Sequence, residues 1–258
     1  MEKGGGKTSA FSFSMNNELE YCERLNDRLS VIHRRDGVGT TTDALLLAAL
    51  LPKKAGECCE LGAGGGIVSL LAAARGRIGR GVLLEREPAL CALAERNIQK
   101  NGLDATLTVL CADLREHLPS GHFTTVLANP PYRRAGEGLP ARDRLADISR
   151  FERAGGIADF CRAAATLLAE DGRFYTVFPA ARRSDLLTAL EDAGLHAYRA
   201  VTVYPYPDGA PRLLLTVSGM GEGVLREATF TLCRAPGGAP TEAAERLYAD
   251  GVLMTEGE

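Results

Sequence analysis

Short apolar runs alternate with longer amphipathic stretches along most of the chain, which predicts strands followed by helices. The first four apolar runs lie at residues 57–61, 81–85, 105–111 and Phe123–Ala128. Apolar residues at one-face helical spacing follow the first two runs. Repeated strand–helix units favour a parallel sheet with helices on both faces.

The second half of the chain continues this pattern and then changes it. An amphipathic stretch beginning at Ile157 precedes a predicted strand at residues 173–178. Strands at His196–Tyr204 and residues 212–217 then follow with only a turn rich in proline between them, which indicates a hairpin. We therefore predict an α/β fold with a Rossmann-like, doubly wound, mostly parallel seven-stranded sheet and an antiparallel C-terminal hairpin, with an added edge strand near residues 228–233.

Composition and charge limit the classes of protein that the chain can belong to. Its 258 residues are 45% hydrophobic and 24% charged, as in globular proteins, and the net charge of −3 gives no global attraction to nucleic acid. The longest apolar run, residues 44–51, is far shorter than a membrane span, and residues 1–16 have no apolar core of the signal-peptide type. We expect a cytoplasmic protein without a membrane partner.

Cysteine and histidine positions give no sign of a metal site. The seven cysteines lack Cys-x-x-Cys spacing, and most fall in predicted strands or on apolar helix faces, which favours buried, reduced thiols. The four histidines are scattered along the chain, and we assign them neither a metal nor a catalytic role.

A glycine-rich turn directly follows the first predicted strand. Its spacing is Glu60-x-Gly62-x-Gly64-x-Gly66. Such turns let backbone amides approach a nucleotide, either the pyrophosphate of a dinucleotide or a nucleoside such as S-adenosylmethionine. The dinucleotide pattern needs a glycine where Ile67 stands, so the spacing favours the nucleoside.

Polar residues follow the next three strands as well. Glu85 ends the second strand, where an acid can accept hydrogen bonds from ribose hydroxyls, and Asp113 follows the third, where it could accept from an adenine amino group. Each acid alone could equally be a solvated loop residue. Carboxyl ends of parallel strands meet at one edge of a sheet, so we expect these acids to share a site with the glycine turn.

The fourth strand runs into Asn129-Pro130-Pro131-Tyr132. Two prolines end the strand and stiffen the corner. The Asn129 amide and the Pro130 carbonyl offer two acceptors for a planar amino group, and the Tyr132 ring could stack on the flat system that carries it. A plain Asn-Pro turn is the alternative interpretation. The upstream cofactor pattern favours methyl transfer to a weakly nucleophilic amine, with Asn129, Pro130 and Tyr132 as catalytic residues.

These motifs resemble the class I S-adenosylmethionine-dependent methyltransferases, in particular the small methyltransferase-domain group with Asn-Pro-Pro-Tyr. Residues 60–66 look like the cofactor motif of that group, and the two acids match its ribose and adenine positions. The layout is most similar to the valine-tRNA adenine-N6 methyltransferase family, in which a helix precedes the first strand. In that family's pattern, Thr41 or Asp43 could close over the methionine part of the cofactor. The chain departs from it at Val38-Gly39, where an aromatic residue followed by a basic one is expected, and at Arg133, where an aromatic residue is frequent.

The resemblance covers about residues 30–217. We predict three parts: an N-terminal tail and cap segment at residues 1–45, a methyltransferase domain at 46–220, and a C-terminal extension at 221–258, packed on or trailing from that domain. The first 16 residues look like a mobile tail, and residues 222–258 are expected to end as a loose tail.

The expected function is methylation of an exocyclic amine, foremost adenine N6 of tRNA. A protein glutamine methyltransferase of the release-factor type is an alternative, although such enzymes carry a longer helical N-terminal domain. A ribosomal RNA guanine-N2 enzyme and a cofactor-binding module without catalysis stay open. Arginines in the loop at residues 133–153 could contact phosphates, or could be solvated among the acids interleaved with them.

Overall fold

A computed structural model describes residues 19–37, 39–132 and 156–257. The predictions for the N-terminal tail at residues 1–16 and for the arginine-rich loop at 133–153 lie outside the described residues.

The secondary-structure elements follow one another in the order expected for an α/β protein. The strands are β1 Glu20–Asn26, β2 Leu29–Arg34, β3 Gly56–Leu61, β4 Ile78–Glu85, β5 Leu107–Cys111, β6 Phe123–Ala128, β7 Leu168–Pro179, β8 His196–Tyr204, β9 Leu213–Gly219 and β10 Arg226–Thr231. The helices are α1 Thr42–Leu50, α2 Ile67–Ala74, α3 Pro88–Lys100, α4 Ile157–Leu167, α5 Arg183–Asp192 and α6 Glu242–Asp250, with a short 3-10 helix at Ala180–Arg182.

Strands β3 to β10 form one sheet in the order β10-β8-β9-β7-β6-β3-β4-β5. Only β9 runs antiparallel to its neighbours, β7 and β8, so the predicted hairpin and the mostly parallel, doubly wound fold are confirmed. The seven predicted strands and the added edge strand account for the eight strands of this sheet. The added strand is β10, which pairs parallel with β8 at the edge of the sheet.

Side chains along the central strands point alternately to the two faces of the sheet, and each face carries an apolar core. Cys58, Leu83 and Leu127 point to the face covered by α1, α2, α3 and α6. The residues beside the first two in sequence, Cys59 and Leu84, point to the opposite face, covered by α4 and α5. Because both faces are buried, these strands are apolar throughout, which is typical of parallel sheets.

Two elements were not predicted. Strand β1 pairs with β2 in a separate two-stranded antiparallel sheet. The expected loose tail was wrong, because α6 forms within it. Thr241 caps α6 by accepting a hydrogen bond from Ala244 N at 3.1 Å, and Ala244 and Leu247 are fully buried against the first core. Among the described residues, no helix has the length and apolar character needed to cross a membrane.

Candidate active site

The glycine-rich turn joins β3 to α2 through three residues in the left-handed region. Gly62, Gly64 and Gly66 have φ values of 65°, 56° and 83°. A Cβ on Gly62 would lie 3.0 Å from the Phe160 ring, and one on Gly66 would lie 2.7 Å from the Leu83 side chain. A Cβ on Gly64 would meet nothing within 4 Å. Packing therefore requires two of the glycines, whereas the third borders open space.

Glu85, at the carboxyl end of β4, is held by backbone amides on both oxygens. Oε2 accepts from Gly64 N at 2.8 Å, and Oε1 accepts from Arg86 N at 2.8 Å and Glu87 N at 2.9 Å. The side chain is 8% exposed. The three amides fix the carboxylate beside the glycine turn and leave Oε2 one lone pair to accept from a ribose hydroxyl.

Glu60, near the end of β3, is buried beneath the same turn. Its Oε2 accepts from Ser69 N at 3.0 Å and from the Ser69 hydroxyl. Burial raises the pKa of Glu60 to about 7, because the charged carboxylate is poorly solvated there. A cation bound nearby would favour its ionised form.

The Asn-Pro corner at the end of β6 is tied to α1. The Tyr132 hydroxyl oxygen lies 2.6 Å from Asp43 Oδ2 and 2.6 Å from Asn129 Oδ1. Burial, reinforced by Asp43, raises the pKa of Tyr132 well above its ordinary value, so the phenol stays neutral. Its ring meets Phe178 edge-on, with centroids 6.2 Å apart, and Arg182 Nη1 donates to its carbonyl at 3.0 Å. Stacking of this ring on a substrate stays a prediction.

The carboxyl edge of the sheet opens into a cavity of about 200 Å³. Several residues singled out in the sequence line it together: Thr41, Glu60, Gly62, Gly64, Glu85 and Asn129. The remaining walls are largely apolar and include Ile67, Leu90, Leu114 and Phe160. The glycine turn, the acid that ends β4 and the amide that follows β6 therefore share one space.

Asp113 does not line this cavity, although its neighbours Ala112 and Leu114 do. Its carboxylate accepts from Arg115 Nε at 2.9 Å and Nη2 at 2.6 Å, and lies 3.4 Å from Arg86 Nη1. The Arg115 guanidinium holds the pKa of Asp113 well below its ordinary value. Contact between Asp113 and an adenine stays a prediction. Four further residues named from the sequence also lie outside the lining, namely Asp43, Gly66, Pro130 and Tyr132.

The β1–β2 hairpin closes one side of the cavity. Two asparagines whose role the sequence analysis missed, one in α3 and one directly after its last residue, hold the hairpin in place. Asn97 is fully buried; its Oδ1 accepts from Ile32 N at 2.7 Å, and its Nδ2 donates to Ile32 O at 3.2 Å and Gly65 O at 3.1 Å. Asn101 accepts from Ser30 N and donates to Ser30 O. The signal was present as two amides four residues apart on one helix face.

His33 on β2 also lines the cavity, although no role was assigned to it. Its Nε2 lies 2.9 Å from Glu23 Oε2 and 3.3 Å from the Thr40 hydroxyl, and its ring stacks on Tyr21. Burial lowers the pKa of His33, and this effect outweighs the opposite effect of the Glu23 carboxylate.

Within the described ranges, no group of three or more histidine, cysteine or acidic side chains is placed to hold a metal ion.

The cavity fits an adenosyl nucleoside. The open space at Gly64 admits a ligand against the backbone, Glu85 offers acceptors for a ribose, and Leu90 and Leu114 supply apolar walls for a base. S-adenosylmethionine, when bound, supplies an electrophilic methyl group. The Asn129 side chain shares the cavity, so it can orient an incoming amine toward a bound nucleoside.

Comparison with known proteins agrees with this fold. Residues 32–193 match the family model described as the methyltransferase small domain. The chain is similar to the tRNA1(Val) (adenine(37)-N6)-methyltransferase of Shewanella amazonensis, at 28% identity over 222 residues, covering 84% of this chain and 93% of that one. It is 26% identical over 207 residues to the protein of the same name from Bacteroides thetaiotaomicron, covering 79% and 86% of the two chains.

Solved structures share the fold. A predicted O-methyltransferase from Agrobacterium tumefaciens superposes with a TM-score of 0.64 at 22% identity, over 83% of this chain and 98% of that one. The tRNA m1G37 methyltransferase of M. jannaschii superposes with a TM-score of 0.57 at 15% identity, over 80% and 58%.

The fold and the cavity define an S-adenosylmethionine-dependent methyltransferase. The chain belongs to the methyltransferase small domain family.

Removing the Glu85 carboxylate should weaken cofactor binding. In Glu85→Ala, ribose hydroxyls would lose charge-assisted acceptors, so we expect the Kd for S-adenosylmethionine to rise about 10–100-fold. Asp113→Ala should raise it less, because two arginines already engage that carboxylate. Calorimetric titration measures both, with the exposed Glu95→Ala on α3 as the control. Unchanged affinity in Glu85→Ala would remove its assigned role.

Glu60 should release a proton when a cationic cofactor binds. The pKa of Glu60 is raised from 4.5 to about 7, so between these values the folded protein holds a proton that the unfolded chain has lost. Its contribution to stability therefore falls as the pH rises through this window. A nearby cation favours the carboxylate, so titrations at about pH 6.5 should show proton release, detected as a dependence of the binding heat on the buffer's ionisation enthalpy. Glu60→Gln should abolish that dependence; proton uptake by the native protein would contradict it.

Proposed function

We propose that the protein transfers the methyl group of S-adenosylmethionine to the N6 amino group of an adenine in tRNA, in the cytoplasm. The adenine would be unpaired or flipped out of its stack, because its amino edge must reach the Asn129 side chain in the cavity. The protein supplies position and hydrogen bonds rather than a metal or a strong base.

The observation that carries the proposal is the presence of Asn129 in the cavity that Glu85 and the glycine turn also line. A planar exocyclic amine has two N–H bonds and a delocalised lone pair, so it needs two acceptors and a fixed direction of approach. We assign these two acceptor roles to the Asn129 oxygen, whose side chain borders the cavity, and to the carbonyl of Pro130, the next residue in the chain.

The relatives support the choice of base and of RNA. Two of them, from Shewanella amazonensis and Bacteroides thetaiotaomicron, carry the name tRNA1(Val) (adenine(37)-N6)-methyltransferase and align over most of both chains. We propose the same substrate class for this chain, adenine in tRNA.

Transfer of a labelled methyl group into a cell extract tests the proposal. The purified protein and labelled S-adenosylmethionine are incubated with total small RNA and, separately, with ribosomes and soluble protein. Label in small RNA should be lost after ribonuclease but not after protease, and digestion to nucleosides should yield N6-methyladenosine. Label that survives ribonuclease but not protease would instead indicate a protein glutamine substrate, and N2-methylguanosine in ribosomal RNA a guanine substrate.

A further inference from the structure

The Tyr132 hydroxyl lies between two oxygen atoms that both require a proton from it. Asp43 Oδ2 and Asn129 Oδ1 are each 2.6 Å from the hydroxyl oxygen. A phenol carries one proton and can donate only one such bond. The second contact would then join two oxygen atoms with no hydrogen between them, which is repulsive at that distance. A second hydrogen atom must therefore come from one of the two neighbours of the hydroxyl, Asp43 or Asn129.

Asp43 is the stronger competitor for the phenol proton. A carboxylate accepts a charge-assisted hydrogen bond, which is stronger than a bond to a neutral amide oxygen. Asp43 lies in the first turn of α1, where the helix dipole favours its negative charge. The phenol itself stays protonated, since burial and Asp43 raise the pKa of Tyr132.

Rotation of the Asn129 side-chain amide by half a turn about its Cβ–Cγ bond removes the contact between two oxygen atoms. This rotation exchanges Oδ1 and Nδ2 with almost no change in the shape of the side chain. Nδ2 then donates to the Tyr132 hydroxyl oxygen, while the hydroxyl donates to Asp43, and both short contacts are satisfied. The amide oxygen is left facing away from Tyr132, and Asn129 borders the cavity.

We propose that Asp43 is a positioning residue, which acts through the Tyr132 hydroxyl to turn the oxygen of the Asn129 amide toward the substrate amine. We call Asp43, Tyr132 and Asn129 the orienting relay. The opposite orientation would present an NH2 group to another NH2 group, so an amine could not bind. The inference rests on the proposed function, because an acceptor facing the cavity is required only if the incoming group is a donor.

An NMR experiment tests the orienting relay without any RNA. In protein labelled with 15N at asparagine, the Asn129 side-chain amide is identified by its loss in Asn129→Asp. One Nδ2 proton should show the downfield shift of a hydrogen bond, and Tyr132→Phe should remove that shift. If both Nδ2 proton resonances are the same in native protein and Tyr132→Phe, the amide oxygen faces the tyrosine and the relay is overturned.

Kinetics test the catalytic consequence on small RNA. Asp43→Asn and Tyr132→Phe should each lower kcat about tenfold or more while the KM for S-adenosylmethionine changes less than about twofold, as expected for loss of a hydrogen bond that acts in the transition state. The double variant should be no slower than the worse single variant, because both substitutions break one relay. Full kcat in Asp43→Asn, or losses that multiply in the double variant, would overturn it.

Matched controls separate the relay from general damage. Asp159→Asn also replaces an aspartate in the first turn of a helix, and Tyr175→Phe also removes a buried phenol hydroxyl. Both should retain native kcat. If native protein methylates no RNA, the proposed function fails, whereas the NMR result still decides the orientation of the Asn129 amide.

Discussion

Asn129→Ala should lose nearly all methyl transfer and keep its cofactor. We expect kcat to fall about 10²–10³-fold, the usual cost of removing one group that positions and stabilises the transition state. In the proposed mechanism the Asn129 side chain is one of two acceptors for the amine, and the Pro130 carbonyl alone cannot hold both N–H bonds. Single-turnover transfer into small RNA gives the rate, and calorimetry gives the Kd for S-adenosylmethionine.

Affinity for the cofactor should survive in this variant because the proposed ribose contacts lie elsewhere. Glu85 is fixed by three backbone amides, none of which belongs to the Asn-Pro corner. Asn26→Ala, at the last residue of β1, makes the same chemical change far along the chain and should retain native turnover. Native turnover in Asn129→Ala would remove the catalytic role, whereas loss of cofactor binding would indicate collapse of the cavity.

The central strands and the meeting of the glycine turn with Glu85 and Asn129 could be predicted because their causes are local. Alternating apolar runs set the strands, and parallel pairing brings the carboxyl ends to one edge. Gly62 and Glu85 therefore become neighbours once the strand order is known. The edge strand β10 was counted apart from the sheet, since a short polar-rich run carries little pattern of its own.

The features of the site that the sequence analysis did not predict depend mostly on contacts between residues far apart in sequence. Asp43 and Tyr132 are separated by 89 positions, and no pattern along the chain indicates that one phenol joins them. The contacts of Asp113 also differ from the expectation. Arg115, two residues later, donates hydrogen bonds to the carboxylate for which the sequence analysis proposed contact with an adenine. A basic residue two positions after an acid is a signal that sequence reasoning could have used.

The β1–β2 hairpin is the clearest case of a feature that depends on contacts between residues distant in sequence. Its strands are short, and the partner that holds them is not a strand but the amides of α3. Asn97 takes the place of a neighbouring strand, because its amide pairs with both the N–H and the C=O of Ile32. A third bond reaches Gly65 in the glycine turn, so one side chain connects the hairpin to the cofactor cavity.

Asn97→Leu should therefore lower stability and cofactor affinity together. Leucine keeps the volume but leaves three backbone groups without partners, and at about 1–3 kcal/mol for each buried orphan we expect a net loss of about 3 kcal/mol. For a chain of this size that corresponds to a fall in Tm of about 6–12 °C. The exposed Gln99→Leu on the same helix should leave Tm within about a degree.

Asn97→Leu should differ from an ordinary substitution in the core because it should also change the cavity. Gly65 belongs to the turn whose amide at Gly64 binds Glu85, so release of Gly65 should loosen the ribose site. We expect the Kd for S-adenosylmethionine in Asn97→Leu to rise at temperatures well below its Tm, where the protein is still folded. Saturating cofactor should also restore part of the lost Tm, since a ligand that binds only the folded state stabilises it by mass action. Native affinity in the folded variant would show that Asn97 anchors the hairpin alone and does not hold the turn.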